Sequence, residues 1–247
     1  MGLRGERHGD IACQILINYK VDLGVLRRRL PVPFRPRSYG GYGLAGLTLM
    51  LIPPRRRWLS SHGLLLFHRI EAQAFFPGLT ISGSYVVRGD YTGRWHSRML
   101  GNFFPLVMHS TRLRWEQPEN GCFLIEAGRR EQPWLALRAH QGRRFPFDSI
   151  MPDLETANQF VSQHEAWFAP RYGQSLFEQR RWEISHHRGQ PLLVDALDAP
   201  SFQKIMDLPR GTFFFDHALF FEGLEYRYTA PVELIAPRSQ DSFGGFE

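Results

Sequence analysis

The chain has 247 residues, a formal net charge of +6, 43% apolar residues and 22% charged residues. This is ordinary globular composition, and the length allows a sizeable core in one or two domains. The basic residues are almost all arginine, Lys20 and Lys204 being the two lysines, and the arginine runs at 27–29, 55–57, 129–130, 143–144 and 180–181 are dispersed. A nucleic-acid module gathers such charge on one stripe or interleaves it with stacking aromatics, so no nucleic-acid partner is expected. The first ten residues carry no apolar targeting segment. The longest nearly apolar stretch, 43–52, falls short of the ~20 residues a spanning helix needs, so the expectation is a cytoplasmic protein without a membrane partner. Cys13 and Cys122 stand alone in apolar strand patterns and read as free thiols, and no Cys/His spacing suits zinc.

Residues 11–19 alternate and carry branched side chains, which predicts a strand. Residues 22–30 predict a short helix, with Asp22 as N-cap, three arginines in the last turn and Pro31 as the stop. Residues 42–52 are apolar with small residues and read as a buried strand pair or one long bent strand. The glycine-rich stretch 39–43 lacks a phosphate-loop lysine and reads as a tight turn. In the strand predicted over 64–76, Phe67, Arg69, Glu71 and Gln73 share one face, and His68, Ile70, Ala72 and Ala74 the other. Pro77–Gly78 turns it into a second strand over 80–88. Residues 94–102 read as helical. Strands over 107–116, 122–127 and 134–140 form a meander. Residues 153–167 give the best helical pattern, and strands over 175–186, 192–197 and 219–235 follow, with Lys204 in a polar loop between Pro200 and Pro209.

Four segments, in order, carry a family resemblance. They are 16–22 with the Leu30-Pro31-Val32-Pro33-Phe34-Arg35-Pro36 loop; His68-Arg69-Ile70 with Val87-Arg88-Gly89-Asp90; Phe104-Pro105 followed by His109; and Pro209-Arg210-Gly211-Thr212 with Phe215-Asp216-His217-Ala218-Leu219. Together they resemble the YqjF-like family of uncharacterised bacterial proteins, distantly related in fold to acetoacetate decarboxylase. The resemblance implies an α+β fold, mostly antiparallel β: a cone-shaped β-barrel with a few flanking helices. It implies no activity. The decarboxylase needs a Schiff-base lysine of lowered pKa after an aromatic-Pro pair. Here Phe104-Pro105 is followed by Leu106, and neither lysine has an obvious neighbour to depress its pKa, so lysine-dependent decarboxylation is not expected.

The strongest polar group is Arg69, Glu71, Arg88 and Asp90, charges set within apolar strands of one hairpin. Such charges face water, pair with one another or line a cavity. An arginine at a barrel mouth would hold a carboxylate bidentately; the bland alternative is a surface ion-pair ladder. His68, His96, His109 and His217 are candidate polar or proton-transfer groups, with Asp216 as orienter or backbone cap. His109, just after the Phe-Pro pair, is the candidate catalytic residue; His68, Asp216 and His217 join the charged four as ligand-binding candidates. No nucleophile elbow, dinucleotide loop or His-x-x-x-His motif is present, so neither a metal nor a cofactor is expected. The expectation is one domain over 1–247 with tails at 1–10 (disordered) and 237–247. It would bind a small anionic or partly apolar molecule in a barrel pocket, or be a non-catalytic interaction module that has lost the ancestral chemistry. A homo-oligomer is compatible with either.

Overall fold

The computed structural model describes residues 7–53, 63–76, 78–92, 108–119, 121–164, 166–170, 176–184, 188–228 and 232–235. The chain opens with strand β1 (Arg7–Asp22), so residues 7–10 of the expected tail are already strand. Helix α1 (Leu23–Arg29) starts where the sequence placed it: the Asp22 carboxylate accepts from the Val25 N–H, and the arginines fill the last turn. Next come β2 (Phe34–Pro36), β3 (Ser38–Tyr39), β4 (Tyr42–Ile52), β5 (Gly63–Phe76) and β6 (Leu79–Tyr91). β4 is one continuous strand. The strand expected over 107–116 is two pieces, β7 (Met108–Ser110), parallel to β6, and β8 (Leu113–Glu116), antiparallel to β9 (Cys122–Arg129). β10 (Gln132–Gln141) completes the meander.

Helix α2 (Leu154–Ser162) is capped by Asp153 and is shorter than expected. Residues 166–167, assigned to it from the sequence, begin strand β11 (Ala166–Pro170), which pairs with β6 on one side and β12 (Leu176–Ile184) on the other. Two strand partners outweigh a helical pattern there. β13 (Gln190–Asp198) follows. The expected polar loop around Lys204 is helix α3 (Pro200–Met206), with proline in its first turn and Phe202 and Met206 buried. β14 (Phe213–Tyr228) and β15 (Val232–Ile235) end the described chain.

The strands form one mixed sheet in the order β15-β12-β11-β6-β5-β4-β1-β14-β13-β10-β9-β8. The sheet curls into a half-barrel, not the closed cone expected; β12 reaches the far end of β14 through Trp182–Ile184, while β15 and β8 end the path. Each face buries an apolar layer. On the meander face, Ile15, Leu47, Leu66 and Ile70 pack with Phe123, Ile125 and Leu137 from β9 and β10 and with Phe202 of α3. On the α2 face, Leu16, Met50, Phe67, Trp167 and Leu219 lie under Met151, Ala157 and Phe160. Two glycines allow close strand approach: a Cβ on Gly46 would lie 2.0 Å from the Ile17 carbonyl oxygen, and one on Gly83 1.9 Å from that of Ala166. Among the described residues no helix is long and apolar enough to cross a membrane.

Two β-bulges decide where the polar residues point. In the β5–β6 ladder His68 pairs with Arg88 and Arg69 with Val86, so Val87 is an extra residue. Strict alternation from Ser84 and Val86 would put Arg88 and Asp90 on the α2 face beside Arg69 and Glu71. The extra residue turns them onto the meander face instead. In the β1–β14 ladder Asn18 pairs with His217 and Tyr19 with Phe215, leaving Asp216 extra beside His217.

Candidate functional site

The four-charge group proposed from the hairpin is therefore two ion pairs on opposite faces. Neither is the surface ladder: Arg69, Glu71 and Asp90 are all buried.

On the meander face Asp90 takes two hydrogen bonds from Arg88, Nε at 2.8 Å and Nη2 at 2.7 Å, and one from Thr111 Oγ1 at 2.7 Å. The Arg88 side chain stays 31% exposed. Beside the pair lies His68, 0% exposed, its ring 5.6 Å from Trp134 and 6.2 Å from Phe202, the latter stacked. His68 Nδ1 is 4.0 Å from Asp90 Oδ2, and neither ring nitrogen has a hydrogen-bond partner among the described residues. Burial pushes the imidazole down to about 4, with Asp90 pulling up and Arg88 pushing down. The ring is thus neutral at neutral pH, with one donor and one acceptor turned into an apolar layer. Leaving such a group unpaired costs roughly 1–3 kcal/mol, and a partner oxygen would recover it. His109 pairs in register with Asp90 through β7, but its side chain is exposed.

On the α2 face Arg69 donates to Thr48 Oγ1 at 2.6 Å, to Asn18 Oδ1 at 2.7 Å and to Glu71. Glu71 also meets Ser84 and the His164 ring, and Arg37 is close enough to act on its charge. Burial raises the Glu71 pKa, but His164, Arg69 and Arg37 together outweigh it and bring the carboxyl to about 2. Arg37 also donates to the Phe160 carbonyl and Gln163 Oε1, and its guanidinium lies over the Phe160 ring at 3.7 Å. Asn18 continues the row to His217, which bonds Asp216, which in turn accepts from Ser149 Oγ and the Ile150 N–H. Asp216 is thus both orienter and backbone cap. Its pKa is lowered: burial raises it, and these hydrogen bonds outweigh that.

The bulges thus bring Arg69, Glu71, Asp216 and His217 into one buried row, and His68, Arg88 and Asp90 into a second group on the other face. Phe104, Pro105, Leu106 and the helix expected over 94–102 lie outside the described residues, as do 1–6 and 236–247. Lys20 sits at the edge of the α2 face, 24% exposed, donating to the Asp148 carbonyl at 3.0 Å and lying 3.9 Å from Asp216. That carboxylate lies far from Lys20 along the chain. A carboxylate neighbour is the opposite of the second cation that activates a Schiff-base amine. Lys204 is exposed on α3. Cys13 is buried and Cys122 half-buried, both free. Among the described residues no three His, Cys, Asp or Glu gather as a metal site. A groove of about 380 Å³ lies along the meander between Leu124, Glu126, Arg138 and Asp198, and none of the candidate residues lines it.

Sequence reasoning missed Asn18, Thr48, Arg37, His164 and Thr111. Asn18 and Thr48 did carry a signal, as single polar residues inside otherwise apolar strands. His164 lies within the helical pattern over 153–167, which gives no sign of a buried partner.

No family model matches the chain and no curated protein matches it, and nothing confirms the YqjF-like resemblance. Solved structures do match. Acetoacetate decarboxylase from Legionella pneumophila aligns with TM-score 0.63 at 10% identity, over 94% of this chain and 87% of that one. An acetoacetate decarboxylase-like enzyme from Sphingomonas wittichii RW1 gives 0.61 at 11%, covering 93% of each. The enduracididine biosynthesis enzyme MppR, complexed with pyruvate, gives 0.54 at 10%, over 96% and 90%. At such identities the likeness concerns the fold, and the fold of this chain is acetoacetate decarboxylase-like.

Proposed function

We propose that this chain binds a small, partly apolar molecule bearing an acid or keto oxygen on the meander face, without lysine-dependent decarboxylation. The observation that carries the reading is His68, a fully buried imidazole with both nitrogens unpaired among the described residues, beside the Arg88–Asp90 pair. Trp134 and Phe202 supply the apolar wall, His68 the hydrogen bond, and the part-exposed Arg88 the charge an acid group would meet. His109, in register with Asp90 at the outer end of this group, is the proton-transfer candidate. Fold analogy adds a probe rather than an activity: MppR was solved with pyruvate.

The test is calorimetric titration of the full chain with pyruvate, 2-oxobutyrate and phenylpyruvate. Binding of at least one, abolished by His68→Leu and weakened by Arg88→Gln, supports the reading. No binding, or binding indifferent to both changes, refutes it. A second reading, a non-catalytic module, draws on Phe202, whose ring already occupies space beside His68. It predicts no response to any of the three acids.

A further inference from the structure

The α2 face holds a hydrogen-bond row whose direction is fixed from one end. A guanidinium only donates. Arg69 Nη2 lies 2.7 Å from the Asn18 amide, so the amide atom it meets is the oxygen. The amide nitrogen then faces His217 Nε2 at 2.9 Å, and it too can only donate. Nε2 must therefore be unprotonated. The ring proton sits on Nδ1, 2.6 Å from the Asp216 carboxylate, which accepts it.

We infer that Asn18 is a positioning residue that passes the polarity of Arg69 to His217, locks that ring as the neutral Nδ1–H tautomer, and so aims Asp216 at the turn carrying Ser149 and Ile150. The inference is independent of the group around His68, which lies on the opposite face.

The groups packed on His217 among the described residues agree with this state. Asn18 reaches it from β1, Ser149 and Phe145 from the segment preceding α2, and Asp216 from its own strand. The nearby charges are Arg69 behind Asn18 and Lys20 beside Asp216. An imidazolium would set Nε2–H against the Asn18 N–H. Turning the amide to relieve that would set its NH2 against Arg69. Either arrangement forfeits a buried hydrogen bond.

The row has a wider consequence. Beyond Arg69 it runs on to Glu71 and His164, and beyond Asp216 to Ser149 and Ile150. Residues 149–164, which cover the α2 face, are thus tied at both ends by one continuous series of polar contacts. His217 is also removed as a general base, because its one lone pair is already taken by Asn18.

Ring ¹⁵N NMR of the full chain at pH 7 tests the tautomer directly. The expected result is an unprotonated Nε2 in the wild type. In Asn18→Asp the new carboxylate accepts from both Arg69 and Nε2–H, so the His217 ring becomes doubly protonated while the Ile150 amide stays protected. In Asn18→Leu the row is cut, and Ile150 amide exchange accelerates about ten-fold, the worth of roughly one hydrogen bond. A protonated Nε2 in the wild type, or an Asn18→Asp ring indistinguishable from it, overturns the tautomer lock. Unchanged Ile150 exchange in Asn18→Leu overturns the positioning role.

Discussion

Replacing His68 by leucine should make the protein more stable and abolish ligand binding, a pairing expected where stability has been given up for function. The size follows from the geometry. The imidazole is fully buried among Trp134, Phe202 and the strand core, with both nitrogens unpaired among the described residues, and removing such a penalty is worth about 1–3 kcal/mol. Leucine is of similar bulk and places no polar atom there. For a chain of this size each kcal/mol moves the melting temperature by about 2–4 °C. The gain should also grow in acid. The imidazole titrates near 6.5 when unfolded and near 4 when folded, so the unfolded state binds the proton first. Wild-type stability is then complete above 6.5 and is lost as the pH falls toward about 4, by on the order of 3 kcal/mol for this group. Thermal melts of wild type and His68→Leu between pH 7.5 and 4 measure both parts. A less stable variant at pH 7, or a stability difference that does not widen in acid, would refute the reasoning.

Glu71→Gln should cost about 3–5 kcal/mol in chemical denaturation, because it leaves the buried Arg69 and Arg37 without their carboxylate. The same carboxyl gives an acid limb with a lower window: its pKa is depressed, so its stabilisation is present above 4.5 and lost as the pH falls toward about 2, and Glu71→Gln should lack that limb. Gly46→Ala should cost about 3 kcal/mol or more, since the added Cβ meets a backbone carbonyl in the β1–β4 ladder and the two strands must part; an unshifted melt would contradict the register. Borohydride reduction in the presence of pyruvate should leave the mass of the chain unchanged, because Lys20 stands beside the Asp216 carboxylate and not beside an activating cation; an adduct at Lys20 would restore Schiff-base chemistry.

The strand faces could be read from the sequence because their alternation is local. Phe67, Arg69 and Glu71 do share a face opposite His68 and Ile70, and Asp22 does cap the first helix. The grouping of Arg69, Glu71, Arg88 and Asp90 could not be read correctly, because it depended on a single extra residue. Val87 is an apolar residue like its neighbour Val86, and nothing in its identity announces a bulge. The bulge at Asp216 was equally silent, yet it lets two consecutive polar residues serve the same buried row. Residues 166–167 were drawn into a helix by periodicity alone, while their partners on β6 and β12 lie far off in sequence. Helix α3 was hidden by its polar face, although Pro200 at its first turn was a usable start signal.

A high-resolution crystal structure of the full chain, grown with the tightest-binding of the three acids, would reveal whether the half-barrel keeps a place for a small molecule beside His68. The expected result is an oxygen atom of that acid within hydrogen-bonding distance of a His68 ring nitrogen, with its apolar part against Trp134 or Phe202. A dry ring packed on all sides by side chains, with the acid elsewhere or absent, would contradict it.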